Sequence, residues 1–160
     1  MTRARRCSVI GLGSDHGDDA IGWAAIDALA ACGLPPGTSL HTCATPAADL
    51  LSLLAACEHA VIVDAVADNE APGRVRRLDL ADLAASSARG GSHGMSVAAV
   101  LALADALQLA PRTLVLVGVG IDPRRTLPGQ PLSPPLRAVL PALVAELLAT
   151  LEESTTKALP

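Results

Sequence analysis

Phenylalanine and tyrosine are absent from this 160-residue chain, and Trp23 is its single tryptophan. A core must therefore be assembled from Leu, Val, Ile and Ala, which dominate the 51% hydrophobic content. The same absence removes the aromatic platforms on which bases stack, and the net charge of −4 removes the basic footprint, so nucleic acid is not an expected partner. The four cysteines, Cys7, Cys32, Cys43 and Cys57, form no C-x-x-C pair and have no histidines at zinc-finger spacing. They read as small buried hydrophobes of a reducing compartment. The basic start, Met1-Thr2-Arg3-Ala4-Arg5-Arg6, is followed by an apolar stretch over residues 7–12 only, which is too short for a signal peptide. No uninterrupted apolar run approaches the ~18 residues of a membrane helix. The expectation is a soluble cytoplasmic protein with no membrane partner. Its length suits one domain with a sizeable core, residues 1–151, ending in a polar, frayed tail over 152–160.

What is present is an alternation of strand and helix patterns. Residues 7–12 form a short apolar strand that runs into Gly13. A helical stripe over 20–31 carries Ile21, Ala24, Ala25, Ala28, Leu29 and Cys32, and Gly33-Leu34-Pro35-Pro36-Gly37 breaks it. Residues 38–44 read as a second strand and 46–56 as a leucine-rich helix. The continuous apolar run Ala60-Val61-Ile62-Val63 marks a strand buried on both faces, ended by Asp64. After a turn at 69–73, the charged stretch 74–80 reads as an antiparallel edge strand, because its connection is short and it carries arginines. A small-residue loop at 86–94 precedes a helix with Val97, Val100, Leu101, Ala104 and Leu107 on one face. Thr113-Leu114-Val115-Leu116-Val117-Gly118 is the second fully buried strand. A proline-rich loop at 122–135 leads to a last helix striped by Leu136, Val139, Leu140, Leu143, Val144, Leu147 and Leu148. This pattern predicts an α/β three-layer sandwich with a mostly parallel sheet.

The segment Gly11-Leu12-Gly13-Ser14-Asp15-His16-Gly17 joins the first strand to the first helix. Glycines at such a turn commonly offer backbone N–H groups to an anion. This loop carries the carboxylates of Asp15, Asp18 and Asp19 instead, and its G-x-G-x-x-x-G spacing is one residue too long for a dinucleotide fingerprint. A cation suits it better. The local alternative is ordinary helix chemistry, with Asp18 as N-cap and Asp19 favoured by the macrodipole in the first turn.

In an open α/β sheet the working crevice lies beyond the carboxyl ends of the strands. Asp19 follows the first strand, Asp64 ends the first buried run, and His93 lies in Gly90-Gly91-Ser92-His93-Gly94 ahead of a helix. A carboxylate directly after a hydrophobic strand needs a partner or a rim position. Taken singly, Asp64 reads as a turn residue and His93 as a loop residue capping a helix. Taken together, two carboxylates and an imidazole form an O,O,N set for a borderline divalent metal such as Ni²⁺ or Zn²⁺, or an acid/base pair with an orienting group. His16 is a further candidate contact, with a solvated loop residue as its ordinary reading.

These residues in their contexts resemble the NiFe-hydrogenase maturation endopeptidases over residues 9–148. The resembling segments are Gly11-Leu12-Gly13-Ser14 followed by Asp18-Asp19-Ala20-Ile21-Gly22, the V-I-V-D-A context of Asp64, and Ser92-His93 before an apolar helix. Thr45, Gly118-Val119-Gly120-Ile121 and Leu132-Ser133-Pro134 fit as well, while Ser14 stands where the family usually has Asn. The resemblance implies a five-stranded, mostly parallel sheet between helices and a protease with no serine or cysteine nucleophile. It assigns Asp19, Asp64 and His93 as both metal ligands and catalytic residues. The partner it implies is the hydrogenase large-subunit precursor, whose C-terminal extension is cut once nickel is inserted, so nickel arrives with the substrate. Two other readings compete. One is a non-catalytic metal-site chaperone using the same residues. The other is a phosphate- or nucleoside-binding enzyme, disfavoured because no Lys or Arg lies in the glycine loop and only Arg124-Arg125 forms a basic pair on a rim loop.

Overall fold

The computed structural model describes residues 6–67, 71–87 and 96–156. Strand β1, Cys7–Leu12, runs through the glycine loop into a single 3₁₀ turn, Gly17–Ala20, and helix α1, Ile21–Ala30. Strand β2, Thr38–Cys43, leads to α2, Pro46–Ala55, and then to β3, His59–Ala67. Strand β4, Val75–Leu78, precedes α3, Leu80–Ser87, and α4, Val97–Ala106. Strand β5, Thr113–Ile121, a 3₁₀ turn at Pro123–Arg125, and the long helix α5, Pro134–Thr156, complete the chain.

The five strands lie in the order β2-β1-β3-β5-β4. Four are parallel, and β4 runs antiparallel to β5 at the edge, as the arginine-bearing stretch predicts. Alternation along the strands divides the core between two faces. Val9, Val61, Val63, Val117 and Val119 pack against Ile21, Ala25 and Leu29 of α1 and Leu136, Leu143, Leu147 and Leu151 of α5. Ile10, Leu12, Ala60, Ile62 and Leu116 face Leu50 and Leu54 of α2, Leu83 of α3, and Val100, Leu101 and Ala104 of α4. A sheet between two helical layers is the expected three-layer sandwich, filled by aliphatic side chains.

Three local expectations change. Asp64 lies inside β3 rather than after it, because the strand continues to Ala67 and pairs Asp64 with Gly118 of β5. The expected edge strand at 74–80 stops at Leu78, and a helix follows. Asp79 and Asp82 cap each other's backbone: the Asp82 N–H donates to Asp79 Oδ1 (2.8 Å) and the Asp79 N–H to Asp82 Oδ2 (2.9 Å). This reciprocal pair starts α3 as a capping box does, with Asp in place of Glu. Finally, α5 is long and apolar enough by length and composition to cross a membrane, although no uninterrupted apolar run in the sequence suggested a span. Its Leu136, Leu143, Leu147 and Leu151 are buried in the core, each contributing about 2 kcal/mol, so the stripe serves a core helix. Helix α5 ends at Thr156.

Candidate functional site

The carboxyl ends of β1 and β3 are pinned to the start of α1 by glycine. A Cβ at Gly22 would run into the carbonyl oxygens of Leu12 and Val63, and one at Gly11 into the Gly22 carbonyl. Helix α1 therefore sits on the strand backbones themselves, which brings the turn just before it to the rim where Asp64 emerges. Gly13 has φ of 136°, a conformation open to glycine, and a side chain there would collide with the Asp19 carbonyl oxygen. The loop folds back over Asp19.

The adjacent acids of this turn have opposite environments. Asp18 is 1% exposed and does not cap the helix, contrary to the simplest reading of its position. Its Oδ1 accepts the Ser133 N–H at 2.6 Å and its Oδ2 the Ser133 hydroxyl at 2.8 Å. The Gly17 N–H donates to the Gln130 carbonyl at 3.1 Å. The glycine loop is thus tied to the segment that leads into α5, and Asp18 is consumed by that tie. Asp19 is half-buried. Ser14 Oγ donates to its Oδ2 at 2.6 Å, and its N–H donates to the His16 carbonyl at 3.2 Å.

Asp64 shares a strand face with Ala60 and Ile62, the face covered by α2 and α4. Burial pushes its carboxyl up to about 7, the Asp19 charge pushes in the same direction, and a hydrogen bond from the Ala65 backbone opposes both. Among the described residues no Lys or Arg pairs with Asp19 or Asp64. The site therefore gathers two carboxyl groups with no counter-ion among the described residues, an arrangement suited to an incoming cation. Cys43, at the end of β2, lies close enough to Asp49 and Asp64 that their charges add to burial in raising its thiol. A nucleophilic role would need the opposite shift.

Asp19 and Asp64 lie near enough for the Asp19 charge to act on the Asp64 carboxyl. His93 lies outside the described residues, and among those described no group of three His, Cys, Asp or Glu side chains converges on one point. His16 is a loop residue whose ring is 45% exposed and lies 3.5 Å from Asp15. Arg124 is held by Asp122 through contacts of 2.8–3.2 Å, which leaves the rim loop without a free basic pair for phosphate. Sequence reasoning missed the Asp18–Ser133 tie, which spans 115 positions and has no local signal, and the hydroxyl of Ser14 on Asp19.

Known structures share this architecture. The hydrogenase maturating endopeptidase HybD from E. coli is 29% identical, with 93% of each chain covered and a TM-score of 0.75. The solution structure of an endopeptidase from Escherichia coli has the same identity and coverage with a TM-score of 0.78. The [NiFe] hydrogenase maturation protease HycI from Thermococcus kodakarensis shares the fold at 20% identity, covering 92% of this chain and 93% of its own, with a TM-score of 0.74. No curated protein matches the chain. The sequence profile of the hydrogenase maturation proteases, a family of peptide-bond hydrolases, matches residues 26–150. That span covers well over half of the 160 residues, and the chain belongs to the hydrogenase maturation protease family.

Proposed function

We propose that this protein is a cytoplasmic endopeptidase that removes the C-terminal extension of a NiFe-hydrogenase large-subunit precursor after nickel insertion, and that it recognises the inserted nickel. The observation that carries this reading is Asp64: a carboxyl pushed up to about 7, beside the Asp19 charge, with no cation of the described chain paired to either. An arriving metal supplies the missing positive charge and draws the Asp64 proton off. Asp19, Asp64 and His93 are the proposed ligands. His93 enters the set on its sequence context, Ser92-His93 ahead of the apolar helix α4.

With two carboxylates and an imidazole, the protein's own share of the site is a poor nickel trap. Thiolates bind such metals more tightly, and the precursor's cysteines would complete the coordination. Held between protein and precursor, the metal acts as a Lewis acid toward the scissile carbonyl or a water. Asp19 and Asp64, by holding the metal, orient the precursor, and one carboxylate of the pair serves as the base. The net charge of −4 and the absence of aromatic platforms argue against nucleic acid as a partner, and the buried stripe of α5 argues against a membrane. The test is to incubate purified protein with nickel-loaded precursor and measure the mass of the large subunit. Loss of the extension with wild type, and an intact precursor with Asp19→Asn, Asp64→Asn or His93→Gln, is the expected pattern. Normal trimming by any one variant removes that residue from the mechanism.

A further inference from the structure

The hydroxyl of Ser14 makes two contacts that together fix where its single proton goes. It accepts the His16 N–H at 3.3 Å, which occupies one of its lone pairs. It donates to Asp19 Oδ2 at 2.6 Å, at the short end of the range for an O–H···O bond. Ser14 lies one residue beyond Gly13, whose glycine-only conformation lets the loop close over Asp19. The hydroxyl is thus delivered by a backbone that cannot easily place it elsewhere. Asp18, next to Asp19, is locked to Ser133, so the turn is held from behind while Ser14 holds the carboxylate from the front.

We propose that Ser14 is a positioning residue of the site. By occupying Oδ2 of Asp19 it leaves Oδ1 as the oxygen presented to a metal and makes Asp19 a one-oxygen ligand of fixed direction. This inference rests on the reading of Asp19 as a ligand. A carboxylate without that bond can rotate about its terminal torsion, which is broad, and can bind a metal through both oxygens or neither. Groups that hydrogen-bond to metal ligands commonly change metal affinity or activity by 10–100-fold when removed.

The experiment compares Ser14→Ala, Ser14→Thr and Asp19→Asn with wild type in three measurements. These are thermal denaturation, calorimetric titration with Cd²⁺ as a probe of the free protein's site, and cleavage of nickel-loaded precursor resolved into kcat and KM. Ser14→Ala is expected to melt within a few degrees of wild type, to bind Cd²⁺ about 10-fold more weakly, and to lose about 10-fold in kcat/KM. Ser14→Thr, which keeps the hydroxyl, is expected to restore both. Should Ser14→Ala bind Cd²⁺ and cleave as wild type does while Asp19→Asn does neither, the positioning role is wrong and the ligand reading stands. Should Asp19→Asn bind and cleave normally, the ligand reading itself fails. If Ser14→Ala is unfolded, the decision passes to Ser14→Thr, where Cd²⁺ affinity near wild type supports the proposal and a tenfold loss overturns it.

Discussion

The two ends of the central sheet both bury titratable groups, and the same physical force acts on them with opposite consequences. At the amino end, Cys7, His59 and Thr113 form one row across β1, β3 and β5. His59 Nδ1 and Thr113 Oγ1 lie 2.7 Å apart, and among the described residues His59 Nε2 has no partner. Burial pushes the Cys7 thiol up to about 11, with neighbouring Cys57 adding to the shift, and burial also raises Cys57. At the carboxyl end, five residues further along β3, burial pushes Asp64 up to about 7. Desolvation disfavours the charged form in both places. A thiol starts above neutrality and moves away from it, so it stays protonated and inert. A carboxyl starts below neutrality and moves onto it, so it can gain or lose a proton as a cation comes and goes. The end of the sheet that can do chemistry is set by which residue type is buried there.

The comparison breaks most completely if the sheet between the two ends is disrupted. Leu116→Asp places an unpaired charge in β5 at a position 6% exposed, facing α2 and α4, and is expected to cost more than about 4 kcal/mol. Circular dichroism should show an unfolded chain. A native spectrum would contradict the double-sided burial of β5.

Next in size is Asp64→Asn, expected to lower cleavage of nickel-loaded precursor by about 100-fold or more while keeping the fold. Its stability should carry an opposite sign. A carboxyl raised from 3.8 to about 7 binds its proton more tightly in the folded state, so wild type loses stability as pH rises from about 4 to 7. The full loss is on the order of 4 kcal/mol at most. Asparagine has no such term. The variant should therefore melt above wild type at pH 8, with the gap shrinking as pH falls toward 5. Equal melting points at pH 8 would mean that Asp64 is not desolvated.

Much of this was legible in the sequence, and what was not has identifiable causes. The strand and helix pattern is written in local periodicity, so β1, β2, the antiparallel edge and the apolar helices follow from it. The run Ala60-Val61-Ile62-Val63 marks the core of β3, but a strand entering a polar rim loses its hydrophobic signal before it loses its ladder, which placed Asp64 one step outside it. The capping pair Asp79 and Asp82 was overlooked because Asp stands where the usual motif has Glu. Of the adjacent acids, sequence alone favoured a cap for Asp18. Its actual partner, Ser133, lies in the loop before α5 and is found only through the tertiary fold.

Smaller effects sharpen the same contrast. Gly22→Ala should cost about 2–4 kcal/mol, because its Cβ meets backbone oxygens on both β1 and β3 and α1 must lift away. Since α1 carries the Asp19 turn, cleavage measured well below the melting temperature should fall as well. Unchanged stability would show that α1 has more room than the close approach allows. At the inert end, Cys57→Ala should cost only about 1 kcal/mol and leave kcat/KM unchanged, and in wild type Cys7 and Cys57 should react slowly with a thiol reagent at pH 8. Rapid labelling of the folded protein would remove the distinction between the two ends.

The central claim is that the carboxylate end of this sheet reads a metal carried by the substrate. The direct measurement is cleavage of matched precursor prepared with and without nickel, followed by mass spectrometry of the large subunit at equal protein and precursor concentrations. The account predicts loss of the C-terminal extension from the nickel-loaded precursor and an intact mass for the nickel-free one. Efficient trimming of the nickel-free precursor would contradict it and return Asp19 and Asp64 to an ordinary acid/base role.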